Sequence, residues 1–217
     1  MTGGTSSTQP SWISLRARSL LAYLSELPLQ FEPGAKWSYN QPGYILLGMI
    51  VEHVAGKPFP AFLEDRFFRP LGMTSAVFGD SRVVVPNRRQ VAYTRQYGPL
   101  QSWIRPYSTT DYPGAGLNVS AADLAKYFAA LQTGHLFRPL TLKRLWTRPV
   151  LASGAEAEYA LGWTVEAVQG RTVVGHEGGG CAWVSHVPVD GLTVVVLSNL
   201  AGSRANLGST LAALMAS

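Results

Sequence analysis

Apolar residues recur three and four apart through the first two-thirds of the chain and at alternate positions through the last third. Ile13, Ala17, Leu20, Leu21 and Leu24 share one helical face, which predicts an amphipathic helix over about residues 12–26. Glu32-Pro33-Gly34 breaks the pattern. A second helix is expected from about Gln41 to Gly56, with Leu47, Ile50, Val51 and Val54 as its buried stripe and Gly56 as its stop. His53 on that helix reads as a partly buried structural residue. Phe59 to Phe68 predicts a shorter helix, ended by Pro70 and Gly72. Ser120 looks like an N-cap with Asp123 at the third helical position; Leu124, Tyr127, Phe128 and Leu131 form the apolar face and Gly134 closes it. A short helix should follow from about Leu140 to Trp146.

The period then switches to two. Tyr159–Val168, Thr172–His176, Ala182–Pro188 and Leu192–Ser198 read as strands, with Gln169-Gly170 and Asp190-Gly191 between them as turn pairs. Connections this short make antiparallel neighbours. Ser203 to Met215 has the pattern of a closing helix. Residues 79–118, rich in Arg, Tyr, Pro and Gly, are expected to be irregular apart from a short strand at Val83-Val84-Val85, and a stretch of that kind commonly wraps a cleft. Helices first, then a strand meander and a helix, is an α+β layout. Residues 1–150 form the mainly helical and loop region and 151–217 the sheet strands and last helix.

Composition narrows the classes. With 217 residues, 47% hydrophobic and 14% charged, the chain can bury a sizeable core, which argues against disorder. The net charge of +5 is spread without a long basic run, so no nucleic-acid partner is expected. The lone Cys181 excludes an internal disulfide framework and a multi-cysteine zinc site, and reads as a small buried apolar residue. No run of about 18 apolar residues suggests a membrane span, and Met1 to Ser7 lacks the basic start and apolar centre of a signal peptide. The compartment stays open.

Two short segments carry candidate chemistry. Trp37-Ser38-Tyr39-Asn40-Gln41 opens a helix, and His176-Glu177-Gly178-Gly179-Gly180 ends a strand. A tyrosine hydroxyl held near a histidine can shuttle a proton, because nearby positive charge lowers its high intrinsic pKa. Glycines beside a strand let a substrate approach the backbone, whose N–H groups can stabilise an oxyanion. Such a pair would activate a serine.

The surroundings of these segments resemble the serine β-lactamase and penicillin-binding family. Phe31-Glu32-Pro33-Gly34 through Tyr39-Asn40-Gln41 to Tyr44 is similar to its Pro-Gly, aromatic, Ser-Tyr-Ser-Asn pattern, and Pro70-Leu71-Gly72-Met73-Thr74 to its Pro-Leu-Gly-Met signature. Gly116-Leu117-Asn118-Val119-Ser120 through Asp123-Leu124 resembles its Gly-Leu-x-Ser-Thr-x-x-Asp-Leu helix, and Leu161-Gly162-Trp163 its Gly-Leu-Gly-Trp strand. Val174-Gly175-His176-Glu177-Gly178-Gly179 looks like the His form of the Lys-Thr-Gly motif, and Val194 to Asn199 like its Val-Val-x-Leu-x-Asn strand. These matches run in order across nearly the whole chain.

The resemblance implies an antiparallel sheet flanked by helices, beside a mostly helical region, with the active site in the groove between them. It implies Tyr39 as general base or its partner and His176 as the group that positions and polarises it. Gly178 and Gly179 would lie on the sheet edge, with the Gly179 N–H in the oxyanion hole. Gln41 stands where the family has asparagine, and Asn40 is the alternative amide. The reaction implied is acyl transfer through a serine acyl-enzyme on a small-molecule or peptide-like ester, amide or β-lactam, without cofactor or metal.

The family's nucleophile belongs to a Ser-x-x-Lys motif. None occurs here: Lys36, Lys57, Lys126 and Lys143 follow Pro33, Val54, Asp123 and Leu140 by three. Met1-Thr2-Gly3-Gly4 is similar to a family segment that lies beyond that motif. The expectation is a single partial domain, truncated before its nucleophile and inactive alone, with an exposed sheet edge and core face that promote association. The competing reading is a catalytically dead binding module that keeps the groove. A hydrolase of the nucleophile-elbow kind is disfavoured because Gly-x-Ser-x-Gly is absent.

Overall fold

The computed structural model describes residues 15–79, 92–95, 98–103 and 109–202, with side chains from Ser19 onward. Ile13, the strand expected at Val83–Val85 and the helix expected at Ser203–Met215 lie outside the described residues. The described helices are α1 (Leu15–Glu26), α2 (Gln41–Ala55), α3 (Phe59–Leu63), α4 (Ala121–Gln132) and α5 (Pro139–Leu145). α3 runs into a π-helical turn at Glu64–Phe68, which completes the helix expected over 59–68.

The helix ends follow local chemistry. Asn40 caps α2 by accepting a hydrogen bond from Gly43 N at 3.0 Å, and Gly56 ends it in the left-handed conformation, φ 65°. Ser120 caps α4 by accepting from Asp123 N at 3.2 Å. Asp123 is itself buried and ties α4 to the preceding loop. Its carboxylate accepts from Ser75 N at 2.7 Å and from Ser75 Oγ at 2.5 Å, and Lys126 Nζ sits 2.6 Å from its other oxygen. Burial works against its charge, but the Lys126 and Ser75 contacts outweigh that and bring the pKa down to about 2.

Four antiparallel strands follow in sequence order: β5 (Thr164–Val168), β6 (Arg171–Gly178), β7 (Ala182–Val187) and β8 (Leu192–Leu197). The main core lies between this sheet and α4–α5, where Phe128, Leu131 and Leu142 pack with Trp163, Trp146 and Val184. His186 on β7 is fully buried there. It bridges Thr193 Oγ1 at 2.9 Å and Gln132 Oε1 at 3.2 Å and stacks near Phe128 and Trp146. Burial pushes its pKa below the usual histidine value, against a weaker backbone hydrogen bond to Leu192. Val173 and Val187 form a smaller cluster.

Residues 79–118 are more ordered than expected where described. β1 (Val77–Phe78) pairs with β4 (Leu117–Asn118) and closes the excursion at its base. β2 (Tyr93–Thr94) pairs antiparallel with β3 (Gln101–Ser102) and parallel with β9 (Leu200–Ala201), which brings the excursion back against the chain beyond β8.

Four expectations need correction. Leu47, Ile50 and Val54 of α2 are exposed, at 55%, 57% and 80%, while the buried positions are Ile45 and Gly48. Pro113 explains the side chosen: a Cβ at Gly48 would fall 2.0 Å from its Cγ, so only glycine admits that contact. His53 is exposed and Cys181 only half-buried. Tyr159 does not start a strand. It makes one isolated bridge to Thr164, after which Ala160 to Trp163 form a tight turn into β5.

Candidate active site

β6 carries His176 to the site. Its register sets the direction of the side chain: His176 lies opposite Val184, and Val184 packs on the Phe128–Leu131–Leu142 core, so His176 faces the helical layer. Glu177, opposite Trp183, belongs to the other face. β5 ends its pairing at Thr164–Gly175. His176, Glu177 and Gly178 therefore run past β5 with that flank unpaired by it. Gly178 and Gly179 are not on a lateral edge strand, since β6 has strands on both sides; they occupy the overhanging end of β6 and the turn into β7.

The glycine run has an internal reason as well. Gly179 and Gly180 adopt φ of 58° and 67°, and a Cβ at Gly180 would meet Gly202 N at 3.0 Å. Left-handed backbone and close approach both call for glycine. The turn thus brings the β6 end against the Leu200–Gly202 segment. A cleft of about 1320 Å³ lies beside it, with His176, Gly178, Cys181, Ser75 and Asp123 among its walls.

Tyr39 reaches the site from the loop that leads into α2, and its ring is 57% exposed. It does not meet His176 in a direct ring contact among the described residues. Tyr159 stands between them, edge-on to both: 6.1 Å and 89° to Tyr39, 5.8 Å and 82° to His176. Trp37 closes on the same ring at 5.9 Å. Tyr44, from the first turn of α2, brings its hydroxyl close to Gly162, where a Cβ would lie 3.3 Å from it. Burial, with a smaller effect of Tyr39, pushes the Tyr44 phenol up; burial, with Tyr44 and Tyr39, pushes Tyr159 up strongly. Both stay protonated at neutral pH.

The two candidate amides are engaged elsewhere. Asn40 spends its oxygen on the α2 cap. Gln41 Nε2 donates to Gly114 O at 3.4 Å, a long bond, and a Cβ at Gly114 would press on the Gln41 side chain at 3.0 Å. The Asn40 amide nitrogen and the Gln41 side-chain oxygen make no hydrogen bond among the described residues and remain available. Among the described residues no cluster of three or more His, Cys, Asp or Glu side chains could hold a metal, and no helix is long and apolar enough to cross a membrane.

Tyr159 and Tyr44 escaped sequence reasoning as site residues. Each had a visible signal, Tyr159 two positions before Leu161-Gly162-Trp163 and Tyr44 in the helix start after Tyr39. Only the fold shows that they converge.

Comparison with known proteins bears on family and fold. Among curated relatives, a protein of Escherichia coli (strain K12) named "Putative D-alanyl-D-alanine carboxypeptidase" is 28% identical over 218 residues, covering 82% of this chain and 48% of its own length. One of that name from Salmonella schwarzengrund is 25% identical, covering 82% and 49%. The chain spans about half the length of the curated relatives it matches. Among solved structures, a D-stereospecific amidohydrolase from Streptomyces sp. superposes with a TM-score of 0.74 at 22% identity, covering 88% of this chain and 58% of that one. The penicillin binding protein from Bacillus halodurans gives 0.71 at 24%, covering 91% and 61%. These structural likenesses speak to fold, which is that of the β-lactamase and DD-peptidase group. The Beta-lactamase family model matches residues 1–216, and the chain belongs to that family of serine hydrolases.

Proposed function

We propose that Tyr39 and His176 form the proton-handling side of a serine acyl-transfer site, with the serine supplied from outside these 217 residues. The single observation behind this reading is the convergence of Tyr39, Tyr159 and His176 from three separate chain regions beside the end of β6 that runs past β5. In the reaction, Tyr39 as its phenolate takes the proton of an attacking serine and returns it to the leaving group, while a protonated His176 favours that phenolate electrostatically. Backbone N–H groups around Gly178 and Gly179 would hold the developing oxyanion. Asn40 or Gln41 would reach the substrate through its free amide atom. Substrates are acyl compounds of small-molecule or peptide-like character. The names of the relatives point to amides flanked by D-amino acids, and esters are the simplest probes of the same chemistry.

The test is covalent labelling with a fluorescent penicillin and a fluorophosphonate, applied to this chain and to the product of the reading frame extended upstream. An extended protein that contains Ser-x-x-Lys should be labelled on that serine, and the 217-residue chain should stay unlabelled. An upstream frame without such a motif, or labelling of the 217-residue chain itself, would overturn the reading.

A further inference from the structure

We propose that Tyr159 is a positioning residue, whose ring fixes Tyr39 and His176 relative to each other and whose buried hydroxyl is kept for the site at the expense of fold stability. This inference rests on the acyl-transfer reading above for its kinetic consequence, and on geometry alone for the rest.

The first observation is that the two candidate side chains share one aromatic neighbour. Among the described residues, the ring contacts of Tyr39 and of His176 are each with Tyr159. Tyr39 sits on an exposed loop and has little else to hold its rotamer, and a freely turning phenol would seldom present its oxygen in a productive direction. The second observation is that Tyr159 is itself well held. It is 91% buried, given its exposure of 9%. Its backbone bridges Thr164, and the turn behind it is closed by Ala160 N donating to Trp163 O at 2.9 Å and Gly162 N to Ala160 O at 2.9 Å. A fixed ring between an exposed tyrosine and a strand histidine acts as a spacer.

The third observation concerns the hydroxyl. Tyr159 Oη is buried and has no hydrogen-bond partner among the described residues. Buried polar groups are nearly always satisfied, because leaving one unpaired costs free energy. Phenylalanine would fill the same space and make the same edge-to-face contacts without that cost. Trp146 Nε1 and Arg148 Nε are likewise buried without a partner among the described residues; the Tyr159 phenol differs from them in standing between the two candidate side chains. Its raised pKa, caused by burial first and by Tyr44 and Tyr39 next, keeps it a neutral donor that does not compete with Tyr39 for the proton.

These observations give opposite signs for stability and rate. In Tyr159→Phe, the melting temperature should rise by a few degrees while kcat of the nucleophile-bearing form falls about tenfold with KM nearly unchanged. In Tyr159→Leu, the spacer is gone and kcat should fall by about a hundredfold. A tyrosine kept for packing alone would show stability and rate falling together in Tyr159→Leu and no rate loss in Tyr159→Phe.

A second measurement needs no activity. Aromatic NMR of the 217-residue chain should show cross-relaxation from Tyr159 to both Tyr39 and His176, with His176 ring protons shifted by the Tyr159 ring current. Tyr159→Phe should keep that shift. Absence of both cross-peaks in the unsubstituted chain would overturn the proposal even if Tyr159→Leu fails to fold. If no form of the protein hydrolyses an acyl substrate, the acyl-transfer reading fails while the NMR result still decides whether Tyr159 spaces the pair. Unchanged kcat in both variants of an active form would overturn the positioning role.

Discussion

The α4–sheet core and the Tyr39–Tyr159–His176 cluster are built from similar residue types and solve opposite problems. In and beside the core, two buried polar side chains are matched, while Trp146 Nε1 has no partner among the described residues. His186 is held by Thr193 and Gln132, and Asp123 by Ser75 and Lys126. At the site, one tyrosine is mostly exposed, a second keeps its hydroxyl unpaired inside the protein, and the histidine stands on a strand end that has outrun its neighbour. A matched polar group stabilises and specifies a fold. An unmatched hydroxyl among converging aromatic rings is what the positioning role proposed for Tyr159 would explain.

That contrast can be broken or sharpened by substitution. The largest effect on stability is expected in the core. Phe128→Ala should cost about 3–5 kcal/mol in urea unfolding, because Phe128 is 3% exposed at the centre of the main cluster. A cost below about 1 kcal/mol would show that the helical layer does not fold on the sheet as described.

Asp123→Ala comes next, at about 2–3 kcal/mol, since it leaves the Ser75 N–H without its acceptor. The pH dependence has a definite sign. The folded pKa of Asp123, about 2, lies below that of an unfolded aspartate. Its contribution is therefore fully present above about pH 4 and is lost as pH falls toward 2. Acid unfolding followed by circular dichroism should show that loss in the parent protein and not in Asp123→Ala.

His186 produces a slope in a different window. Its folded pKa is depressed by burial, so below the ordinary histidine range the unfolded chain binds the extra proton first. Stability should drop as pH is lowered through that range, and His186→Gln should flatten the drop. A slope that survives the substitution would assign the titration to another group. The smallest effect is expected at the α2 cap, where Asn40→Ala should cost about 1 kcal/mol. If Asn40 also reaches substrate through its amide nitrogen, KM of an active form rises as well; if Gln41 does so, KM follows Gln41→Ala instead.

Much of the fold is legible in the sequence because local chemistry and burial agree there. Ser120 followed by Asp123, with Phe128 and Leu131 on one face, specifies α4 almost to the residue, and alternation with Asp190-Gly191 specifies the β7–β8 hairpin. α2 is legible as a helix but its buried side is not. The apolar stripe Leu47, Ile50, Val54 is a reliable sign of a face that packs, yet the described residues place Pro113 on the opposite side, against Gly48.

The candidate site is legible in the sequence at its two ends and not in its middle. Tyr39 and His176 sit in motifs whose residue types suggest proton transfer, while Tyr159 lies 120 positions from Tyr39 in a stretch whose alternation reads as strand. Periodicity reports which face is buried. It does not report that a turn after Tyr159, closed by Gly162 at φ 88°, swings that ring between two distant segments.

The most direct test of the central claim is the rate of covalent labelling by a fluorophosphonate in a nucleophile-bearing form of the protein, compared with its Tyr39→Phe, His176→Ala and Cys181→Ser variants. The account predicts a loss of about a hundredfold or more for Tyr39→Phe and His176→Ala, without loss of folding stability in Tyr39→Phe, and an unchanged rate for Cys181→Ser. Unchanged labelling in Tyr39→Phe and His176→Ala, or labelling abolished by Cys181→Ser, would contradict it.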